Sequence, residues 1–254
     1  MKSKLLITAM LASSICSCDK PNRLTSFAVD DAVKNKSAEM NRSISKSIRE
    51  NGGEIRILIL GNSIALHAPA PEIGWGNNWG MAASSADKDF AHLTIFGIEQ
   101  RTGKRADYRI RNVYGMEKEF LSGYDIIDLQ MQDIAWKPHY VVIAAGENVA
   151  AFKHRREEEA WGKALYDLGK AYKHANPTAR IVYRSVFWNN DIKHHLAKEA
   201  AAKLGVAFAD LGSRGDESAM QAHNSGFKHE GVAMHPGDLG MAMQAELILN
   251  AMFD

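Results

Sequence analysis

Cysteine is nearly missing from this sequence. Of its 254 residues only Cys16 and Cys18 carry a thiol, and both fall within the first 18 positions. That placement excludes a disulfide framework for the remaining chain, whose stability must come from a hydrophobic core. An excess of one charge is missing too: 31 basic against 30 acidic side chains leave a formal net charge of +1. Nothing in that balance marks a partner such as nucleic acid or an acidic polymer, so a small-molecule or neutral-polymer partner is expected. Long hydrophobic runs are also lacking. The apolar stretch from Leu5 to Ile15 is far shorter than the roughly 20 residues needed to span a bilayer. No internal repeat or low-complexity tract is evident.

What is present begins with a targeting pattern. Met1-Lys2-Ser3-Lys4 is basic, Leu5 to Ile15 is apolar, and Ile15-Cys16-Ser17-Cys18 resembles a bacterial lipoprotein signal with Cys18 as the lipidated residue. Simple secretion with cleavage nearby is the alternative. Residues 1–18 are therefore expected to be a signal peptide, 19–53 a polar Ser/Lys/Asn-rich tether, and 54–254 one folded domain. The expected location is the bacterial cell envelope, facing periplasm or exterior, or the medium. Membrane contact is expected only through the lipid anchor.

From Glu54 onward, strand-like and helix-like patterns alternate. Strands are expected at Ile55–Leu60, Tyr108–Tyr114, Tyr140–Ala145, Ile181–Phe187 and Val206–Leu211. The first and third are near-continuous apolar runs, as parallel strands covered on both faces require. Helical periodicity falls at Trp79–Thr102, Glu117–Gln132, Arg155–Ala175, Ile192–Leu204 and Pro236–Met252, with Pro236 suited to a first helical position. Five strands joined by helical crossovers predict an α/β fold: one doubly wound parallel sheet between two helical layers.

Three polar clusters close these segments. Gly61-Asn62-Ser63 ends the first strand, Gly146-Glu147-Asn148 follows the third, and His235-Pro236-Gly237-Asp238 opens the last helix. In a parallel sheet all three meet at the carboxyl edge, where ligand sites form. Serine is a weak nucleophile until a histidine takes its proton, and acyl transfer also needs donors aimed at the developing oxyanion. Ser63, His235 and Asn148 are the residue types for those three tasks.

In these blocks the sequence resembles the SGNH/GDSL hydrolases, from about Ile55 to the C-terminus and in the family's order. The resemblance implies a flavodoxin-like three-layer α/β/α sandwich with a five-stranded parallel sheet. It implies Ser63 as nucleophile, Asn62 where Asp is commoner, Asn148 in the oxyanion hole and His235 as base. It also implies a second oxyanion glycine, for which Gly115 in Asn112-Val113-Tyr114-Gly115 is the nearest equivalent, at shortened spacing. The family's acid lies three residues before the histidine, and Val232 stands there. Glu230 is the nearest upstream carboxylate; the alternative is a Ser-His dyad whose ring is oriented by a backbone carbonyl.

The loop from His67 to Trp79 is rich in Gly, Pro and Trp. Trp75 and Trp79 either stack on a sugar as substrate-binding residues, alongside Asn62, or pack as a lid over the sheet edge. His223, His229 and His235 recur at six-residue intervals, too widely for a zinc site, so no metal or other cofactor is expected. The expected activity is hydrolysis of small acyl esters, acetyl first, on a small-molecule or glycan substrate, with no nucleic-acid partner. A lipid-directed esterase or thioesterase, and a non-catalytic glycan-binding protein on the same scaffold, are the competing readings.

Overall fold

The computed structural model describes residues 47–123 and 125–254. The signal segment, Cys18 and most of the tether lie outside the described residues. In chain order the elements are β1 (Ser47–Arg49), β2 (Ile55–Gly61), α1 (Phe90–Thr102), β3 (Ala106–Asn112), α2 (Tyr114–Glu119), α3 (Ile126–Leu129) and α4 (Met131–Ala135). Then follow β4 (Tyr140–Ile143), α5 (Arg155–Ala175), β5 (Arg180–Arg184), α6 (Asp191–Leu204), β6 (Ala207–Ala209), α7 (Glu230–Ala233) and α8 (Asp238–Phe253).

The sheet runs β1-β3-β2-β4-β5-β6. Its five long-expected strands are mutually parallel, as the alternating pattern requires. The sixth, β1, is an antiparallel edge strand that pairs Ser47–Arg49 with Tyr108–Ile110. It lies inside the segment read as tether, so the folded domain begins ahead of Glu54. Three residues are too few to carry a period-two signal. Arg49 clamps this edge by donating from Nε to the Ala106 carbonyl (3.0 Å), pairing with Glu99, and lying over the Tyr108 ring.

Alternation along β2 builds both helical layers. Ile57 and Ile59 face one side, where Phe90, Ile95 and Ile98 of α1 and Met241 and Ile248 of α8 cover them. Leu58 and Leu60 face the other, against Trp161, Leu165 and Leu168 of α5 and the alanines of α6. Burial on both faces explains why this strand is apolar at nearly every position. From β2 the chain crosses to β3 on one side and later to β4 on the other. The carboxyl ends of β2 and β4 are therefore a topological switch point, where such sheets bind ligands.

Several helix boundaries differ from expectation. The first helix starts at Phe90 rather than Trp79, because Asp89 caps it, accepting from His92 N, while its other carboxylate oxygen holds Gly80 N in the preceding loop (3.0 Å). The segment 117–132 breaks into short turns instead of one helix. The last helix starts at Asp238 with Gly237 as its cap; Pro236 sits instead in a bridge to Gln221. No described helix is long and apolar enough to cross a membrane.

Candidate active site

Gly61 closes β2 where no side chain fits: a Cβ there would lie 2.6 Å from Ala65 Cβ and 3.3 Å from the Ala144 carbonyl. This close approach lets the chain turn sharply beside β4. Asn62 then anchors the turn, its carbonyl accepting from Ala65 N and Leu66 N and its Oδ1 from Ile64 N. Ser63 is left at the mouth of the turn, and Met81 N bonds its carbonyl at 2.8 Å, strapping the following loop onto it.

Ser63 Oγ lies 2.8 Å from Nε2 of His235, which arrives from the opposite end of the domain just ahead of α8. His235 Nδ1 is 2.6 Å from the Gly231 carbonyl. A carbonyl only accepts, so in the neutral ring Nδ1 carries the hydrogen and Nε2 presents its lone pair to the serine. Burial lowers the His235 pKa to about 4, with His67 and His229 pushing the same way and the Gly231 bond and Glu147 opposing. The imidazole is thus neutral at physiological pH, the state a general base needs. Trp188 braces it edge-on, centroids 5.5 Å apart.

Glu230 does not reach this histidine. It opens the single-turn helix α7 exposed to solvent, and the turn brings the Gly231 carbonyl to the ring in its place. Val232, three residues before the histidine, is wholly buried with Ala70, Trp75, Met81 and Ala222. Ser63 and His235 thus form a hydrogen-bonded pair whose ring is oriented by a backbone carbonyl.

A cleft of about 440 Å³ opens over the pair. His67, Tyr114, Asn148 and His229 supply its polar wall, and Ile73, Met81 and Val232 its apolar one. Gly115 is buried in the first turn of α2, and its neighbours Asn112 and Tyr114 line the cleft instead. Neither tryptophan of the loop faces it. Trp75 is fully buried, its Nε1 donating to the His67 carbonyl, and Trp79 meets it edge-on at 5.9 Å with its own Nε1 on the Ala83 carbonyl. Both indole N–H groups are satisfied within the loop, with Trp75 at its core and Trp79 half-buried against it, an arrangement that fits the lid reading.

Behind Asn148 lies a buried polar cluster that sequence reasoning missed. Glu117 of α2 accepts from Asn148 Nδ2 (2.6 Å), Asn62 Nδ2 (2.9 Å) and Gly146 N (2.5 Å). Asn62 Nδ2 also donates to Glu147 Oε2 at 2.6 Å. Glu147 in turn pairs with buried Arg184 of β5, which reaches Gln244 of α8, and accepts from Phe187 N. Burial and the neighbouring Glu147 carboxylate push the Glu117 pKa up to about 7, against three stabilising hydrogen bonds. The one available signal was Arg184 itself, a charge following the apolar run Ile181-Val182-Tyr183. Among the described residues no group of histidines, cysteines or carboxylates is arranged to hold a metal ion, and His223 bonds Gln221 at 2.6 Å.

No family model and no curated protein matches the sequence. Solved structures that share the fold include two from different sources. One is a protein from Parabacteroides merdae described as a GDSL-like lipase, with TM-score 0.52 and 16% identity over 80% of this chain and 97% of that one. The other is a carbohydrate esterase family 2 enzyme plus carbohydrate binding domain from Corynascus thermopiles (Myceliophthora fergusii), with TM-score 0.52 and 16% identity over 80% and 67%. The chain therefore has the three-layer fold that GDSL-like lipases and carbohydrate esterases share.

Proposed function

We propose that this chain is an exported serine esterase that removes small acyl groups, acetyl first, from a carbohydrate. The observation that carries the esterase reading is the 2.8 Å contact between Ser63 Oγ and Nε2 of a neutral, backbone-held His235 at the mouth of a cleft. His235 Nε2 takes the serine proton as Oγ attacks the ester carbonyl carbon. The resulting oxyanion is held by Ser63 N–H and by the Asn148 amide hydrogen that Glu117 does not use. Collapse of this intermediate expels the alcohol, which takes its proton from His235. Water, deprotonated by the same imidazole, then frees the carboxylic acid from Ser63.

The carbohydrate half rests on the resemblance in fold to a carbohydrate esterase and on the expected export, since Trp75 and Trp79 do not support it. The apolar wall of Ile73, Met81 and Val232 favours a second reading, an esterase for longer acyl chains. A series of p-nitrophenyl esters separates them: preference for the two-carbon ester supports the deacetylase, preference for eight carbons or more the lipid-directed enzyme. A fluorophosphonate is expected to label Ser63, and Ser63→Ala is expected to lose both label and turnover. Glu230→Ala is expected to keep near-wild-type turnover. An active Ser63→Ala variant would sink the proposal.

A further inference from the structure

Resting on the esterase reading, we propose that Glu117 is a positioning residue of the oxyanion hole, acting by fixing which face of the Asn148 carboxamide is turned to the cleft. An asparagine amide can present either its NH2 or its oxygen, and only the NH2 stabilises an oxyanion. A carboxylate accepts and cannot donate, so Glu117 Oε2 selects the nitrogen at 2.6 Å. The nitrogen's second hydrogen is left for the cleft that Asn148 lines. Glu117 Oε1 meanwhile holds Gly146 N, two residues before Asn148, and Asn62 Nδ2, one residue before Ser63. One side chain from α2 thus ties the nucleophile's turn to the oxyanion asparagine.

Gly146 strengthens the case for a built arrangement. Its φ is +134°, and a Cβ would lie 2.8 Å from Val186 Cγ1, so the chain here takes a conformation that only glycine adopts readily. That conformation brings its N–H to Glu117. Protonation of Glu117 puts a hydrogen on one of its oxygens and removes an acceptor from this set. With burial holding the pKa up to about 7, the switch falls within the working range. The charged groups around it are Glu147 from the β4 loop, Arg184 of β5 paired to that carboxylate, Lys193 of α6 bonded to the Val149 carbonyl, and Lys118 beside it on α2.

The test is a double-mutant cycle on Glu117→Gln and Asn148→Ala, assayed with p-nitrophenyl acetate between about pH 4 and 9, with circular-dichroism melts confirming folding. Wild-type kcat is expected to rise to a plateau through an acid limb near 7. Asn148→Ala is expected to lose roughly 10²-fold in kcat with KM little changed. Its acid limb should drop toward 4, where His235 titrates. Glu117→Gln should match it, and the double variant should be no slower than either alone. Additive losses, or an Asn148→Ala profile that keeps the limb near 7, would overturn the assignment. The Asn148→Ala profile decides the matter even where Glu117→Gln does not fold. A wild type that neither turns over the ester nor labels at Ser63 refutes the esterase reading itself; an active, labelled wild type with additive losses refutes only the role of Glu117.

Discussion

Asn62 stands next to Ser63, the proposed nucleophile, where the resembling family more often has Asp, and its surroundings explain the amide. Its Nδ2 donates to both Glu117 and Glu147, two carboxylates that would otherwise face each other without a shared donor. An aspartate here would remove that hydrogen and add a third acidic group to the cluster. Removing one partner from a buried charged network typically costs about 3–5 kcal/mol. Asn62→Asp, although a step toward the family pattern, is therefore expected to destabilise the fold by about that much. Its kcat should fall at least about tenfold as the Asn148 donor is released. Urea unfolding and p-nitrophenyl acetate turnover measure the two effects. A stable, fully active Asn62→Asp variant would show that the network does not depend on this donor.

At the scale of elements, the loop between β2 and α1 departs furthest from what its composition implies. Its composition suggested an aromatic surface for sugar, yet Trp75 is sealed beneath Ala70, Met81 and Val232. Truncating a buried aromatic typically costs about 3–5 kcal/mol. Trp75→Ala is accordingly expected to lose about 3–5 kcal/mol of unfolding free energy, read as a lower urea midpoint. The ratio of kcat/KM for an acetylated oligosaccharide to that for p-nitrophenyl acetate should stay the same. A fall in that ratio without loss of stability would return the indole to substrate binding. The contrast shows what the sequence could and could not disclose. Ser63, Asn148 and His235 each end or precede a strongly periodic segment, so the parallel topology alone brings them to one edge. Glu117 sits in a short turn with no periodicity to mark it as buried. The acid position was open on spacing alone, which allowed either Glu230 or a backbone carbonyl; a single turn of helix brings the Gly231 carbonyl to the ring.

Across the whole molecule, the site imposes two opposing pH dependences on the stability of the fold. Glu117 has a folded pKa of about 7 against 4.5. The folded state there keeps a proton that the unfolded chain releases, so its contribution is a stability that declines as pH rises from about 4.5 to 7. His235 has a folded pKa of about 4 against 6.5. Here the unfolded chain binds the extra proton, so stability is present above about 6.5 and is lost as pH falls toward 4. Each effect is on the order of 3 kcal/mol, and their windows overlap, so in the wild type they largely cancel between about pH 4.5 and 6.5. Each single variant uncovers the other group. Relative to wild type, Glu117→Gln is expected to steepen the rise of the urea midpoint with pH across that window. His235→Ala is expected to turn the difference downward. The half-buried carboxylates Asp107 and Asp238, both held below their ordinary pKa, act alike in all three proteins and drop out of the comparison. Shifts of the same sign in both variants would mean that the two groups are not opposed, and that His235 and Glu117 do not occupy the protonation states the geometry assigns them.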